Sequence, residues 1–366
     1  MPYLTNIYGN AASVHSIGQA ARAGLEQSRE KIASLLDCRP DEIYFTSGAT
    51  ESDNTVIKGV ADALSRKGRH IVTTKIEHHA VFEPCEYLSR HDFEITYLNV
   101  DKYGYVDPEE LRASLRTDTI LVSIIYVNNE VGTIQDIKTL AHIAYEKNVL
   151  FHTDAVQALG KIKVDIRDLG ADFLSGSAHK FYGPKGVGIL YAKVGSRFTP
   201  HHHGGAHERG KRAGTENVAG AVGMAKALEL CINEMEQNQA HIAKLDEKLA
   251  RGILNLITDS YLHGDPDRRL KGTMFFTFPG ADGEAIILSL DMKGIAVSSG
   301  SACTSGAVEP SHVLKAMGVS PDDAKTAVRF SLGKGNTEAE IDKVLEVLPS
   351  IVERLRQMSP VYAASK

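Results

Sequence analysis

The hydrophobic residues of this chain follow two alternating rhythms. Short apolar runs at 43–46, 70–74, 94–99, 119–125 and 149–152 have the length and β-branched content of strands. Between them, apolar residues recur at helical spacing over 54–64, 81–90, 108–115 and 137–147. This alternation predicts an α/β fold built on a mostly parallel, doubly wound sheet of the seven-stranded type. Such sheets bind ligands beyond the carboxyl ends of their strands. Two further strands are expected at 172–174 and 187–191, followed by one long helix over 217–256. The remainder reads as strand 273–278, helix 283–292, strand 295–297, helix 311–317, strand 327–331 and helix 338–357. That mixed pattern predicts a smaller α+β domain over 237–366 after a large domain over 1–236.

Composition narrows the function classes. With 366 residues, 43% hydrophobic and 24% charged, the chain is long enough for two packed domains and ordinary for a globular protein. A net charge of −5 gives no electrostatic support for nucleic-acid binding. No apolar run reaches membrane-spanning length, and the first residues lack the basic start and apolar centre of a signal peptide. Cys38, Cys85, Cys231 and Cys303 are widely separated, without metal-ligand spacing or a disulfide framework. Together these features predict a cytoplasmic protein that binds neither membrane nor nucleic acid.

Several chemistry-bearing residues fall just beyond predicted strands. Lys180 lies in the glycine-flanked stretch Ser175–Gly186. It is either a solvated lysine on a turn or an amine that reaches into a cleft. Asp154 ends the apolar run at 149–152. It either caps the next helix or pairs with a protonated ring nitrogen, and Gln157 is placed to reach a ring hydroxyl. Thr46-Ser47-Gly48-Ala49-Thr50 joins a strand to a helix, offering free N–H groups and a helix dipole to a phosphate. His78 in Glu77-His78-His79 and Asn129 in Asn128-Asn129-Glu130 open on the same side. His78 is either a surface residue or a ring that stacks on a cofactor and exchanges protons.

The stretch 298–307 is almost wholly small and polar around Cys303, which predicts a mobile segment with an accessible, nucleophilic thiol. The other three cysteines lie in or beside helical patterns and are expected to be inert. Arg329 stands inside an apolar run, so it needs either an internal acid or a substrate carboxylate as its partner. His201-His202-His203 reads as a polar loop, because adjacent side chains do not converge readily on one metal.

These segments together resemble the class V aminotransferases, which have the type I fold of pyridoxal 5′-phosphate (PLP) enzymes. Within that group they resemble the NifS/IscS-type cysteine desulfurases. The segments that carry the likeness are 46–54, 77–81, 128–132, 152–160, 175–188, 208–217, 298–310 and 329–333, in family order. The resemblance implies a homodimer that removes sulfur from L-cysteine, releases L-alanine and leaves a persulfide on Cys303. From there the sulfur passes to an iron–sulfur scaffold protein or another acceptor. Lys180 is implied as the lysine that carries PLP and moves protons. Asp154 meets the ring nitrogen, His78 stacks on the ring, and Asn129 and Gln157 meet the hydroxyl side. Ala49, Thr50, Ser177 and His179 hold the phosphate, and Thr215 reaches the phosphate of the other subunit. Asn129 and Arg329 bind substrate. No permanent metal is implied, although Cys303 could ligate a cluster transiently on a partner.

The wording Ser301-Ala302-Cys303-Thr304-Ser305-Gly306 leans towards the nitrogen-fixation branch. A selenocysteine lyase or an aminotransferase on the same fold is the alternative reading, decided by Cys303. The family usually opens with a short strand; roughly its first two dozen residues have no counterpart here, and Met1-Pro2-Tyr3-Leu4 matches the helix that follows that strand. This predicts weakened substrate binding and stability, and in the extreme a catalytically impaired binding subunit.

Overall fold

The computed structural model describes residues 2–300 and 310–359. The described chain divides into two compact units. The first holds the chain up to Leu98, with Asp107–Val127 and Gln135–Met235. The second holds Asn99–Val106, Asn128–Ile134 and the chain from Glu236 onward. Asn129 therefore groups with the second unit.

The first unit is a seven-stranded sheet of β1 (Ile43–Thr46), β2 (His70–Thr74), β3 (Glu94–Leu98), β4 (Thr119–Ser123), β5 (Leu150–Asp154), β6 (Phe173–Ser177) and β7 (Gly188–Ala192), in the order β1-β7-β6-β5-β4-β2-β3. The pairs β2–β3, β2–β4, β4–β5 and β5–β6 are parallel, while β7 runs antiparallel to both neighbours. Every residue of β2, β4, β6 and β7 is buried, whereas the edge strand β3 is half-exposed. Continuous burial is what a parallel sheet covered on both faces requires, and it explains why these strands read as apolar runs rather than as alternations.

The helices of this unit include α1 (Ser16–Leu35), α2 (Ala49–Leu64), α3 (His79–Ser89), α4 (Pro108–Ser114), α5 (Ile137–Glu146) and α6 (Val218–Asn233). One core cluster joins Val56, Ile57 and Val60 of α2 and Val81 and Cys85 of α3 to Ile71, Leu121, Phe173 and Leu190 of the sheet. The carboxyl ends of β1 and β6 flank the start of β7, since Thr46 and Ser177 both pair with Gly188. A Cβ at Gly188 would lie 2.6 Å from the Gly176 carbonyl oxygen and 2.6 Å from Gly48 Cα, so only glycine lets these two strand ends close together.

The second unit has the antiparallel sheet β10-β9-β8, formed by β8 (Tyr261–His263), β9 (Thr273–Thr277) and β10 (Ala327–Ser331). It is accompanied by α7 (Met235–Leu256), α8 (Gly283–Asp291) and α9 (Glu338–Met358). Met274, Phe276, Phe278, Val328 and Phe330 pack with Leu245, Leu249 and Ile253 of α7 and Ile341 and Leu348 of α9. Arg269 and Asp246, both almost wholly buried, form a bidentate pair in this unit, which also takes the Gly272 N–H.

Two expectations fail. The long helix over 217–256 is two helices, α6 and α7, parted at Glu234. The chain is polar there (Asn233-Glu234, then Glu236 to Gln239) and passes from one unit to the next, so no single apolar face continues. The run 295–297 forms no ladder. Ile295 and Val297 pack their side chains on the second core, and only Ser298 bridges to Arg329. Strand β8 was not legible, because three residues with an exposed tyrosine carry too little periodicity. No helix among the described residues is long and apolar enough to cross a membrane.

Candidate active site

In the first unit the expected residues gather at the carboxyl ends of the strands. The turn after β1 enters α2 through Gly48, an N-cap with no side-chain bond to the first turn. The leading N–H groups of α2, with buried Ala49 and exposed Thr50, are thus available to an anion. A Cβ on Gly48 would lie 3.7 Å from Ser177 Oγ, and Ser177 Oγ bonds His179 Nδ1 at 2.9 Å. The structure therefore brings two of the expected phosphate-binding segments together at Gly188.

Asp154 is the last residue of β5 and is buried, 4% exposed. One of its oxygens accepts the Val156 N–H at 2.9 Å, so it makes a local turn bond as well as closing the strand. Burial, with the nearby Asp53 charge adding to it, pushes its carboxyl up to about 7, while Lys180 pulls the other way. Lys180 itself is exposed in the single turn Ala178–Phe181 that follows β6. Tyr182 ends this turn in the left-handed region, φ 64°.

His78 is half-buried at the N-cap of α3, where its Nδ1 accepts the Ala80 N–H at 3.1 Å. That bond fixes the ring and leaves Nε2 as the nitrogen able to carry a proton outward. Gln157, half-buried, accepts from Lys161 through Oε1. Thr215 is exposed in the segment before α6.

Beneath these residues lies a buried acid cluster that the motifs did not announce. Asp53 and Glu77 are both 0% exposed. Neither oxygen of Asp53 makes a hydrogen bond of good geometry, and His152 Nε2 lies 3.5 Å from it. Burial raises Asp53 to about 7 and Glu77 to about 8, the latter despite bonds from Thr74 Oγ1 and the Ile125 N–H. Burial lowers His152 to about 4; its two nitrogens bond Ser123 and Ser175. The signal for Asp53 was present in the sequence. It falls at helical spacing with Ile57, Val60 and Leu64, an acid on the apolar face of α2.

In the second unit, Arg329 on β10 donates through Nη1 to the Asn129 carbonyl at 3.0 Å and to that of Gly300 at 3.4 Å. Glu130, buried, takes the Ser311 hydroxyl. Cys303 lies outside the described residues. Cys38, Cys85 and Cys231 are buried, and burial pushes the Cys38 thiol up to about 12. Among the described residues no cluster of His, Cys, Asp or Glu is arranged to hold a metal ion.

A family profile described as aminotransferase class-V matches residues 1–344. The chain belongs to the class-V aminotransferase family. It is 51% identical to a protein named cysteine desulfurase IscS from Dictyoglomus turgidum, over 98% of this chain and 91% of that one. It is 49% identical to a protein of the same name from Methanosarcina thermophila, over 99% of this chain and 89% of that one. Among solved structures, one described as a NifS-like protein matches with a TM-score of 0.91 and 42% identity, covering 96% of this chain and 94% of that one.

This family's enzymes depend on PLP, and so does this chain. Its own residues fit that group. A phosphate suits the open N-cap at Gly48 beside Ser177, and a protonated ring nitrogen would compensate the buried Asp154 carboxylate. Lys180, exposed in the turn after β6, is the amine that would be available for covalent attachment.

Proposed function

We propose that this chain is a cytoplasmic, homodimeric cysteine desulfurase that takes sulfur from L-cysteine onto Cys303 and hands it to an iron–sulfur scaffold protein. One observation carries the reading: Asp154 is buried at the end of β5 and pairs with Ser175 on β6, the strand that leads to Ser177 and Lys180, in a chain matching named cysteine desulfurases over nearly its whole length.

When bound, PLP supplies an electron sink that weakens bonds at the substrate's α and β carbons. Asp154, ionised, keeps the ring nitrogen protonated. Lys180 would hold the cofactor covalently, and its amine would move the substrate's α proton. His78, its ring fixed by Ala80, would lie against the cofactor ring and exchange a proton through Nε2. Asn129 and Gln157 serve the ring hydroxyl, Asn129 and Arg329 serve the substrate, and Ala49, Thr50, Ser177 and His179 hold the phosphate. The thiolate of Cys303 attacks the substrate sulfur. An S–S bond forms, the C–S bond breaks, its electron pair stays on carbon, and a proton there completes alanine. In this reading the first unit is the PLP-binding domain and the second carries the Cys303 segment. Nitrogen fixation is one pathway the sulfur could serve.

The test is Cys303→Ala in the holoenzyme. The visible cofactor band is expected to stay and still respond to L-cysteine, while sulfur delivery to an added thiol acceptor falls by about a hundredfold or more, as for loss of a covalent nucleophile. Sulfur and alanine release that survives the substitution would favour a lyase reaction on this fold, and transfer of the amino group to a keto acid with no sulfur released would favour an aminotransferase.

A further inference from the structure

The segment that carries Thr215 is built with unusual backbone. Glu208 and Arg209 sit in the left-handed region at φ 45° and 54°, and neither is glycine. A side chain with a Cβ is disfavoured in that conformation, so the surroundings must hold them there. They do so on the outer edge of β1. The Glu208 carboxylate takes two bonds from Arg29, each 2.8 Å, and the Phe45 N–H at 2.9 Å. Arg209 donates to the Ile43 carbonyl at 2.7 Å and lies over the Tyr44 ring.

The segment is then pinned at two further points, and both lead to the phosphate cradle. Arg212 forms a forked pair with Glu51, Nε to Oε1 at 2.9 Å and Nη2 to Oε2 at 3.2 Å. Glu51 is 8% exposed and stands in the first turn of α2, next to Thr50. Its Oε2 also accepts the Ser47 N–H at 2.8 Å, which fixes the turn between β1 and α2. His202 Nδ1 is 3.4 Å from Oε1. Burial raises the Glu51 carboxyl, but Arg212 and Ser47 outweigh it and hold the group ionised. Beyond Thr215, Asn217 caps α6 and donates to the Gly186 carbonyl at 3.3 Å, in the turn leading into β7. Thr215 is left exposed between two anchors, each set on a wall of its own subunit's cradle.

We propose that Glu51 and Arg212 are a positioning pair that couples the two cofactor sites of the dimer. The pair ties the turn holding a subunit's own phosphate to the segment presenting Thr215 to the phosphate of a second copy. This rests on the reading of Thr215 given above. A bidentate arginine fork suits the task, because it fixes distance and angle together where a lysine fixes only a charge.

Mixed dimers test it. One copy carries Lys180→Ala, so only the other shows the visible band of lysine-bound PLP. Arg212→Gln or Thr215→Ala is then added to the Lys180→Ala copy, and PLP affinity is read from the band of the intact copy. Arg212→Gln in the neighbouring copy is expected to weaken PLP binding about tenfold, the loss of one charge-assisted contact. Combined with Thr215→Ala it should add nothing, because both act through the same threonine. If Thr215→Ala weakens binding and Arg212→Gln does not, the pair positions nothing, although the threonine reading stands. If neither has an effect, the threonine reading falls and the coupling with it. Sedimentation and unfolding midpoints establish that the dimers scored are intact. Where Arg212→Gln fails to dimerise, Glu51→Gln takes its place, since its amide oxygen still accepts from Ser47.

Discussion

Asp154 shows how far a single residue can be read in advance. Its place after an apolar run put it at a strand's carboxyl end, and the structure makes it the last residue of β5. Of its two alternatives the helix cap fails, since the Val156 N–H it accepts lies in a turn that no helix follows, and a buried carboxyl remains for the proposed ring-nitrogen role. Its neighbours Asp53 and Glu77 were not legible as a cluster, because α2 and the loop after β2 meet only through sheet order.

The three carboxyls have a consequence for stability. Each has a folded pKa raised above the unfolded value, to about 7, 7 and 8 for Asp53, Asp154 and Glu77. Between the usual carboxyl range near pH 4 and these values the folded state binds more protons than the unfolded, so stability falls as pH rises. His152, depressed to about 4, contributes in the opposite sense up to its ordinary value near 6.5, as one group against three. The urea midpoint of the cofactor-free protein should therefore fall from about pH 5 to about pH 8. Asp53→Asn should flatten that fall. A midpoint that rises over this range would show that the cluster does not hold its protons.

At the scale of elements, the sequence announced most strands and helices but not what holds their edges. β1 is an edge strand whose outward groups, the Ile43 carbonyl and the Phe45 N–H, are taken by Arg29, Glu208 and Arg209. Blocking an edge with charged side chains prevents pairing with another sheet. No local pattern could reveal it, since 163 positions separate Phe45 from Glu208. Glu208→Ala would leave the buried Arg29 guanidinium without its buried acid, with only the half-exposed Glu26 still beside it. The expected loss is about 3–5 kcal/mol in a denaturant titration. A loss under about 1 kcal/mol would mean that the pair is balanced by its own desolvation and holds nothing. The split of the expected long helix at Glu234 has the same origin, because its two halves belong to different units and bury against different cores.

At the scale of the whole molecule, the parallel sheet and its ligand-binding end follow from the strand–helix rhythm alone. The chemistry performed there does not, because one fold serves many reactions. It was legible through the order of several motifs taken together, and the match to named cysteine desulfurases supports it. The most direct test mixes the PLP-loaded protein with L-cysteine and a thiol acceptor and quantifies alanine and transferred sulfur, with Lys180→Ala as the control. The account predicts alanine and sulfur in equal amounts, and neither from the control. Cofactor-loaded protein that consumes no cysteine, or that yields alanine equally well without Lys180, would contradict it.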